Sequence, residues 1–221
     1  MGNFGLKIEV FLTKHCLKLK KHIKIIILFS FLLNSGCLFS QIRSYSNYEW
    51  RWAFWRPIAA VKCKKALPKA MIVYEQSKKL KEVDSLQNGG KLDAFRHTFV
   101  MAYLAQKVNK RKLLKLGIAH EKGNERAYKK NKLEDGERAD SLSCVMDLYN
   151  NTIGITIGHH NKFASTDSLR SLVLRAIQQG DCLYIKRNHL NHYVTCENKE
   201  INFSEFKNNW FVPKCLIKTN E

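Results

Sequence analysis

Residues 92–108 read Leu-Asp-Ala-Phe-Arg-His-Thr-Phe-Val-Met-Ala-Tyr-Leu-Ala-Gln-Lys-Val. Phe95, Phe99, Val100, Tyr103 and Leu104 recur at three- and four-residue spacing, which is the period of an amphipathic helix. Working outward, Asn88-Gly89-Gly90 breaks the chain before this helix. Upstream of the break the pattern predicts a helix over 66–86, with Pro68 near its start and Met71, Ile72, Tyr74 and Leu80 turned inward. Downstream, a helix starting near Arg111 places Leu113, Leu116 and Gly117 on the face that carries His120. Residues 122–136, KGNERAYKKNKLEDG, are almost wholly polar and are expected to form an exposed connection or flap. Two more helices are predicted, over 137–157 and over 165–179, the last ending at Gly180, a residue suited to a left-handed C-cap. CLYIKRN (182–188) and HYVTC (192–196) read as short extended pieces. The expected fold class is mainly α: a single helical-bundle domain with a small irregular or β-hairpin C-terminal tail. The expected organisation is a signal peptide over 1–40, an aromatic arm over 41–65, the helical domain over 66–180 and an extension over 181–221.

Composition supports that scale. The chain has 221 residues, and at 45% hydrophobic it can bury a core, which excludes wholesale disorder. Three prolines and eleven glycines exclude a collagen-like or Pro-rich chain. Lys and Arg number 38 against 19 Asp and Glu, a net +19. Residues 1–40 hold six lysines and one acid, so the remainder still carries 32 basic and 18 acidic residues, or +14. Such a charge suits anionic partners. The lysines are dispersed over several segments rather than gathered with aromatic or arginine readers, so nucleic acid is not favoured. The charge reads as solvated helix faces, with contact to an anionic envelope or membrane surface as an option that they leave open.

Six lysines between Lys7 and Lys24 precede the apolar run Ile25–Leu33, about half the length needed to cross a bilayer. A basic segment, a short apolar segment and small residues after it read as an export signal. Cleavage is expected near Ser40, before Gln41. Lipidation at Cys37 and an uncleaved anchor are the alternatives, so the expected location is periplasm or cell envelope. Beyond the signal lie Cys63, Cys144, Cys182, Cys196 and Cys215, without CxxC spacing. The expected pairing is Cys182 with Cys196, which flank a hairpin-like segment, against the alternative of buried free thiols. The stretch YSNYEWRWAFWRP, residues 45–57, reads either as an arm packing its aromatics onto the domain or as a membrane-interface belt.

Three segments put polar residues where a helix would bury apolar ones. In Asp93-Ala94-Phe95-Arg96-His97, Asp93 and His97 share a face, and Arg96 reaches the Asp93 carboxylate. Ala119-His120-Glu121 ends an apolar stripe. In Met146-Asp147-Leu148-Tyr149-Asn150-Asn151-Thr152-Ile153-Gly154, the residues Asp147, Asn151, Gly154 and Gly158 fall on one face, and the two glycines suggest close approach of another element. Polar groups aimed into a bundle are costly unless paired or used. A divalent metal ion would accept His97, His120, Glu121 and Asp147 as ligands. Without a metal, His97 held by Asp93 is a base, Glu121 an acid and Arg96 an anion clamp, with Asn150 and Asn151 orienting substrate. The competing reading is a buried hydrogen-bond network that sets helix register. No Walker A loop, GxGxxG, GxSxG or HExxH is present, which removes the nucleotide, dinucleotide, α/β-hydrolase and zincin motifs.

The strings GGKLDAFRHTFVMAYLAQ, AHE and MDLYNNTIG resemble an uncharacterised bacterial helical domain with the pattern D-A-x-R-H, A-H-E and M-D-x-x-N-N-x-x-G. The resemblance covers about residues 87–158. It implies that Asp93, Arg96, His97, His120, Glu121, Asp147, Asn150 and Asn151 are the shared polar positions. It also implies an exported or lipid-anchored setting of the Bacteroidetes type, or the C-terminus of an Rhs-like toxin. Thr98-Phe99 departs from the usual small-aromatic pair, and the lysine-rich insertion before the third motif is longer. The function expected is a hydrolase-like, metal-dependent site on an anionic envelope or foreign substrate, such as a phospholipid or phosphoester. The alternatives are a non-enzymatic envelope binding or structural module, and a toxin-type effector. The sequence leaves enzyme and module both open, and does not give the oligomeric state.

Overall fold

The computed structural model describes residues 45–133 and 137–221. The expected signal peptide, its cleavage site and Cys37 lie outside these residues. Six α-helices are described: α1 Asn47–Trp55, α2 Pro57–Ser77, α3 Lys91–Ala105, α4 Lys110–Lys129, α5 Ser141–His160 and α6 Thr166–Gln179. A two-stranded antiparallel sheet follows, β1 Leu183–Ile185 against β2 Leu216–Lys218, with Tyr184 opposite Ile217. The protein is therefore mainly helical with a small strand-bearing tail. Among the described residues no helix is long and apolar enough to cross a membrane.

The helix ends follow their capping residues. Ser46 and Glu49 form a reciprocal capping box at α1, satisfying two otherwise unpaired main-chain donors. Pro57 opens α2, where its missing N–H costs nothing. Gly90 offers α3 no capping side chain, so Asp84 caps it from the preceding loop, its carboxylate accepting from Leu86, Lys91 and Leu92 N–H. Asn109, Asp140 and Ser165 cap α4, α5 and α6 through their own side chains. Gly180 ends α6 at φ 79°, a left-handed conformation that glycine enters without a Cβ penalty.

Two boundaries differ from the expectation. The helix predicted over 66–86 runs instead over Pro57–Ser77 and passes straight through Pro68. Ala59, Ala66, Ala70, Val73, Tyr74 and Ser77 form its buried stripe, and that burial outweighs the one hydrogen bond that Pro68 removes. The polar stretch from Lys122 is not a flap as far as Lys129: α4 continues through it, because Asn124 and Tyr128 extend the buried face of Gly117 and Glu121 at helical spacing. A stripe built partly from polar residues carries no hydrophobic period.

Helix α3 is buried on nearly every side and forms the axis of the bundle. Phe95, Phe99 and Tyr103 stack along it, with ring centroids 5.5 and 6.2 Å apart. Helix α5 lies parallel to it, with Gly154 against the Thr98 main chain and Gly158 against that of Ala102. A Cβ at either position would overlap a carbonyl oxygen of α3, so the close approach expected from the two glycines is present. The aromatic arm divides. Trp52 is buried and donates to the Lys112 carbonyl at 2.9 Å, while Trp50, Phe54 and Trp55 stay exposed.

The C-terminal extension packs Ile185, Tyr193, Ile201 and Val212 into a second small core with Met146 of α5. The expected Cys182–Cys196 disulfide is not the one formed. Cys196 bonds Cys215, with Cα atoms 4.7 Å apart. Cys182 is fully buried beside the Thr98 hydroxyl, 3.3 Å away, and burial pushes its thiol up to about 11. The segment after Cys182 pairs with β2 and then folds back, Arg187 bridging Tyr193, but the residue its two arms bond through the main chain is Cys215, which is why Cys196 meets Cys215 instead of Cys182.

Candidate functional site

Where α3 and α5 run side by side, the first and third motifs meet. Asp93 sits in the first turn of α3, and its Oδ2 accepts the Gly89 N–H at 2.8 Å, so the Gly89-Gly90 turn holds the carboxylate. Arg96 donates to Asp93 Oδ1 from Nε at 3.0 Å and from a terminal nitrogen at 2.7 Å. The same terminal nitrogen lies 3.2 Å from His97 Nε2. From α5, Asp147 Oδ1 comes within 3.3 Å of His97 Nε2, and Asp93 Oδ1 is 3.5 Å from it. The opposite ring nitrogen, Nδ1, is 3.3 Å from Asn151 Oδ1. Since a carbonyl oxygen only accepts, Nδ1 carries a proton, and Nε2 is the nitrogen that faces Asp147, Asp93 and Arg96.

One nitrogen and one oxygen from each carboxylate thus converge: the donor atoms of Asp93, His97 and Asp147 all lie within 4.8 Å of one another. Asp93 and Asp147 are 4 and 8% exposed, so the cluster sits at low dielectric yet keeps an edge to solvent. Two carboxylates this close repel each other, so positive charge beside them is favourable. Arg96 supplies part of it.

The other expected residues take distinct places. Asn150 is fully buried and engages the main chain of β1 at both ends of its amide, donating to Leu183 O and accepting from Leu183 N–H, each at 2.9 Å. It fastens the sheet to α5. His120 turns to α1, with Nδ1 3.2 Å from Glu49 Oε1. Glu121 is buried and accepts from Asn124 at 3.0 Å. Helix α4 runs antiparallel to α5, with Gly117 against Asn151 and Tyr128 stacked under Arg138 just before Asp140.

Between α4 and α5 a small, mostly apolar groove of about 190 Å³ is lined by Leu113, Leu114, Gly117, Ile118 and Leu148, with Asn151 and Thr152. It therefore reaches the residue that orients His97. A larger cavity, about 400 Å³, lies beneath the C-terminal extension and contains none of the motif residues.

The family comparison matches residues 50–181 to a domain of unknown function, DUF6973, which is more than half of the chain. The chain belongs to this family. The DUF6973 stretch contains Asp93, Arg96, His97, His120, Glu121, Asp147, Asn150 and Asn151, while the disulfide and β2 lie beyond it. No curated protein matches the chain, and no solved structure does.

Glu49, just outside the DUF6973 match, was not among the expected site residues. Burial opposes its ionisation, but the hydrogen bond and charge of His120, with bonds from Ser46, outweigh that and hold its carboxyl below the ordinary 4.5. Its one sequence signal was being the sole acid between residues 41 and 74. A carboxyl whose folded-state pKa is depressed stabilises the fold above its unfolded pKa, and that contribution is lost as pH falls through the folded value. Glu49→Gln is therefore expected to flatten the acid limb of the stability profile below about pH 4.5. Thermal melts between pH 3 and 7 check this; an acid limb as steep as in the parent protein would refute it.

Proposed function

We propose that Asp93, His97 and Asp147 hold a divalent metal ion, and that the domain is an exported, metal-dependent hydrolase acting on an anionic amphiphile such as a phospholipid or related phosphoester. The observation that carries this reading is the spacing around His97 Nε2, 3.3 Å to Asp147 and 3.5 Å to Asp93. A charge-assisted hydrogen bond would close to about 2.8 Å. Ligand atoms about 2.1 Å from a shared ion stand roughly 3.0–3.4 Å apart. The Nδ1–H to Asn151 bond is the outer partner that a metal-bound imidazole requires, since it aims Nε2 toward the two carboxylates. One nitrogen and two carboxylates leave coordination positions for water and substrate, and suit manganese or zinc.

In this reading the metal supplies an activated water. Arg96 stays on Asp93 and offers its guanidinium to the anionic group of the substrate. Glu121, buried on α4, would be the group that moves protons. The groove that Asn151 helps to line would receive the apolar part of the substrate. Export is supported by the basic and apolar segments within residues 1–33 and by the Cys196–Cys215 bond, which suits an oxidising compartment.

The competing reading, a buried network that sets helix register, is favoured by Asp93, whose two oxygens are already engaged by Gly89 and Arg96. The two separate on metal. Titration calorimetry with Mn²⁺ and Zn²⁺ is expected to give one tight site in the parent protein and none in His97→Ala, with hydrolysis of phospholipid vesicles or bis-p-nitrophenyl phosphate lost in the same variant. A folded parent protein that binds neither ion would end this proposal.

A further inference from the structure

We propose that the outer face of α1 and α2 docks the domain onto an anionic lipid surface. This inference is independent of the metal site and would stand if no hydrolysis were found. Residues 50–74 carry Arg51, Arg56, Lys62, Lys64, Lys65 and Lys69 and no acid at all. On α2 the exposed positions Ile58, Lys62, Lys65, Lys69 and Ile72 fall at steps of four, three, four and three residues, so they form one stripe along one side of the helix. Ile58 is 72% exposed and Ile72 55%.

Helix α1 adds the aromatics. Trp50 and Phe54 are four residues apart on its outward side, and Trp55 packs edge-on against Phe54, with centroids 5.4 Å apart. Trp55 is 72% exposed and Phe54 63%. Trp52, on the opposite side of the same helix, is buried and bonded to α4, so the exposure of the others is not a general looseness of the helix.

The chemistry selects the occupant. Indole and phenyl rings favour the boundary between headgroups and acyl chains, and lysines interleaved with apolar side chains on one face suit an anionic headgroup layer. A self-association face would need acids to meet these six cations, and this stretch has none. With no described helix able to span, the contact is peripheral.

Quenching of tryptophan emission by brominated lipid tests this on the full chain. The protein has four tryptophans, two of them on the proposed face. In vesicles containing about one-third phosphatidylglycerol, emission is expected to be quenched, and Trp50→Phe/Trp55→Phe should lose most of that quenching. Lys62→Gln/Lys65→Gln/Lys69→Gln is expected to weaken binding to these vesicles about a hundredfold. Circular dichroism confirms that both variants fold. Equal quenching in the double tryptophan variant would overturn the proposal, as would equal quenching of the parent protein by neutral phosphatidylcholine vesicles. A blue shift of emission that tracks protein concentration without lipid would assign the face to a second copy instead, and would also overturn it.

Discussion

Asp140→Ala is expected to lower folding stability by about 4 kcal/mol and the unfolding midpoint by roughly 10 °C. Asp140 does two jobs at once. Its Oδ1 accepts from Leu142 and Ser143 N–H, which caps α5. Its Oδ2 lies 2.6 Å from Lys214 Nζ, and the two side chains are 4 and 3% exposed. Losing the cap costs about 1 kcal/mol. Leaving the lysine buried without its carboxylate costs roughly 3 kcal/mol or more, softened by the Tyr193 ring, whose centre is 4.0 Å from Nζ. The attribution can be checked directly. Asp140→Asn/Lys214→Met keeps a capping side chain and removes the buried charge, so it should recover to within about 1 kcal/mol of the parent protein. Urea unfolding followed by circular dichroism measures all three. An Asp140→Ala variant within 1 kcal/mol of the parent would show that Lys214 finds water or another partner.

That pair explains why the C-terminal extension was poorly legible in the sequence. Asp140 and Lys214 are 74 positions apart, and Lys214 lies in no periodic segment. The same holds for Cys215, whose bond to Cys196 depends on β2 returning to β1. By contrast, α3 and α6 were readable because local signals agreed: aromatics at helical spacing in one, and Ser165 and Gly180 at the two ends of the other. Helix α2 misled because Pro68 resembles a start signal, whereas the alanines that bury the first half of the helix look neutral in sequence. Helix α4 misled in the opposite sense, since its inner face past Gly117 is Glu121, Asn124 and Tyr128 rather than a hydrophobic stripe.

The candidate site followed the same logic. Asp93, Arg96 and His97 could be grouped because helical spacing fixes their relations within one segment. That Asp147 and Asn151 meet them depended on Gly154 and Gly158, which let α5 approach α3 closely enough for side chains to cross. Asp93 entered the sequence reading as an orienting residue, whereas its Oδ1 stands 3.5 Å from Nε2 as a donor atom in its own right. For His120 the deciding partner, Glu49, came from a segment that aromatic content had marked as an arm.

Asp147→Asn separates the two readings of this cluster with the largest contrast. The change is isosteric and keeps an oxygen facing His97, so in the metal-site reading the fold loses little: stability in the presence of a chelator should stay within about 1 kcal/mol of the parent protein. What disappears is the response to metal. A site that binds the native state alone stabilises it by about 2.7 kcal/mol at a free concentration one hundred times the dissociation constant. The parent protein should therefore melt several degrees higher in Mn²⁺ or Zn²⁺ than in chelator, and Asp147→Asn should not. Affinity should fall more than about a hundredfold, because a ligating carboxylate matters at least as much as an outer partner. The metal response of the parent protein should also fade in acid, since a protonated His97 cannot ligate. In the register reading the signs reverse: the parent protein is indifferent to metal, and Asp147→Asn destabilises it by roughly 1–3 kcal/mol, since the amide brings N–H donors into a space arranged around a carboxylate. Melting curves of both proteins, with chelator and with metal, give four midpoints, and the two readings order them differently.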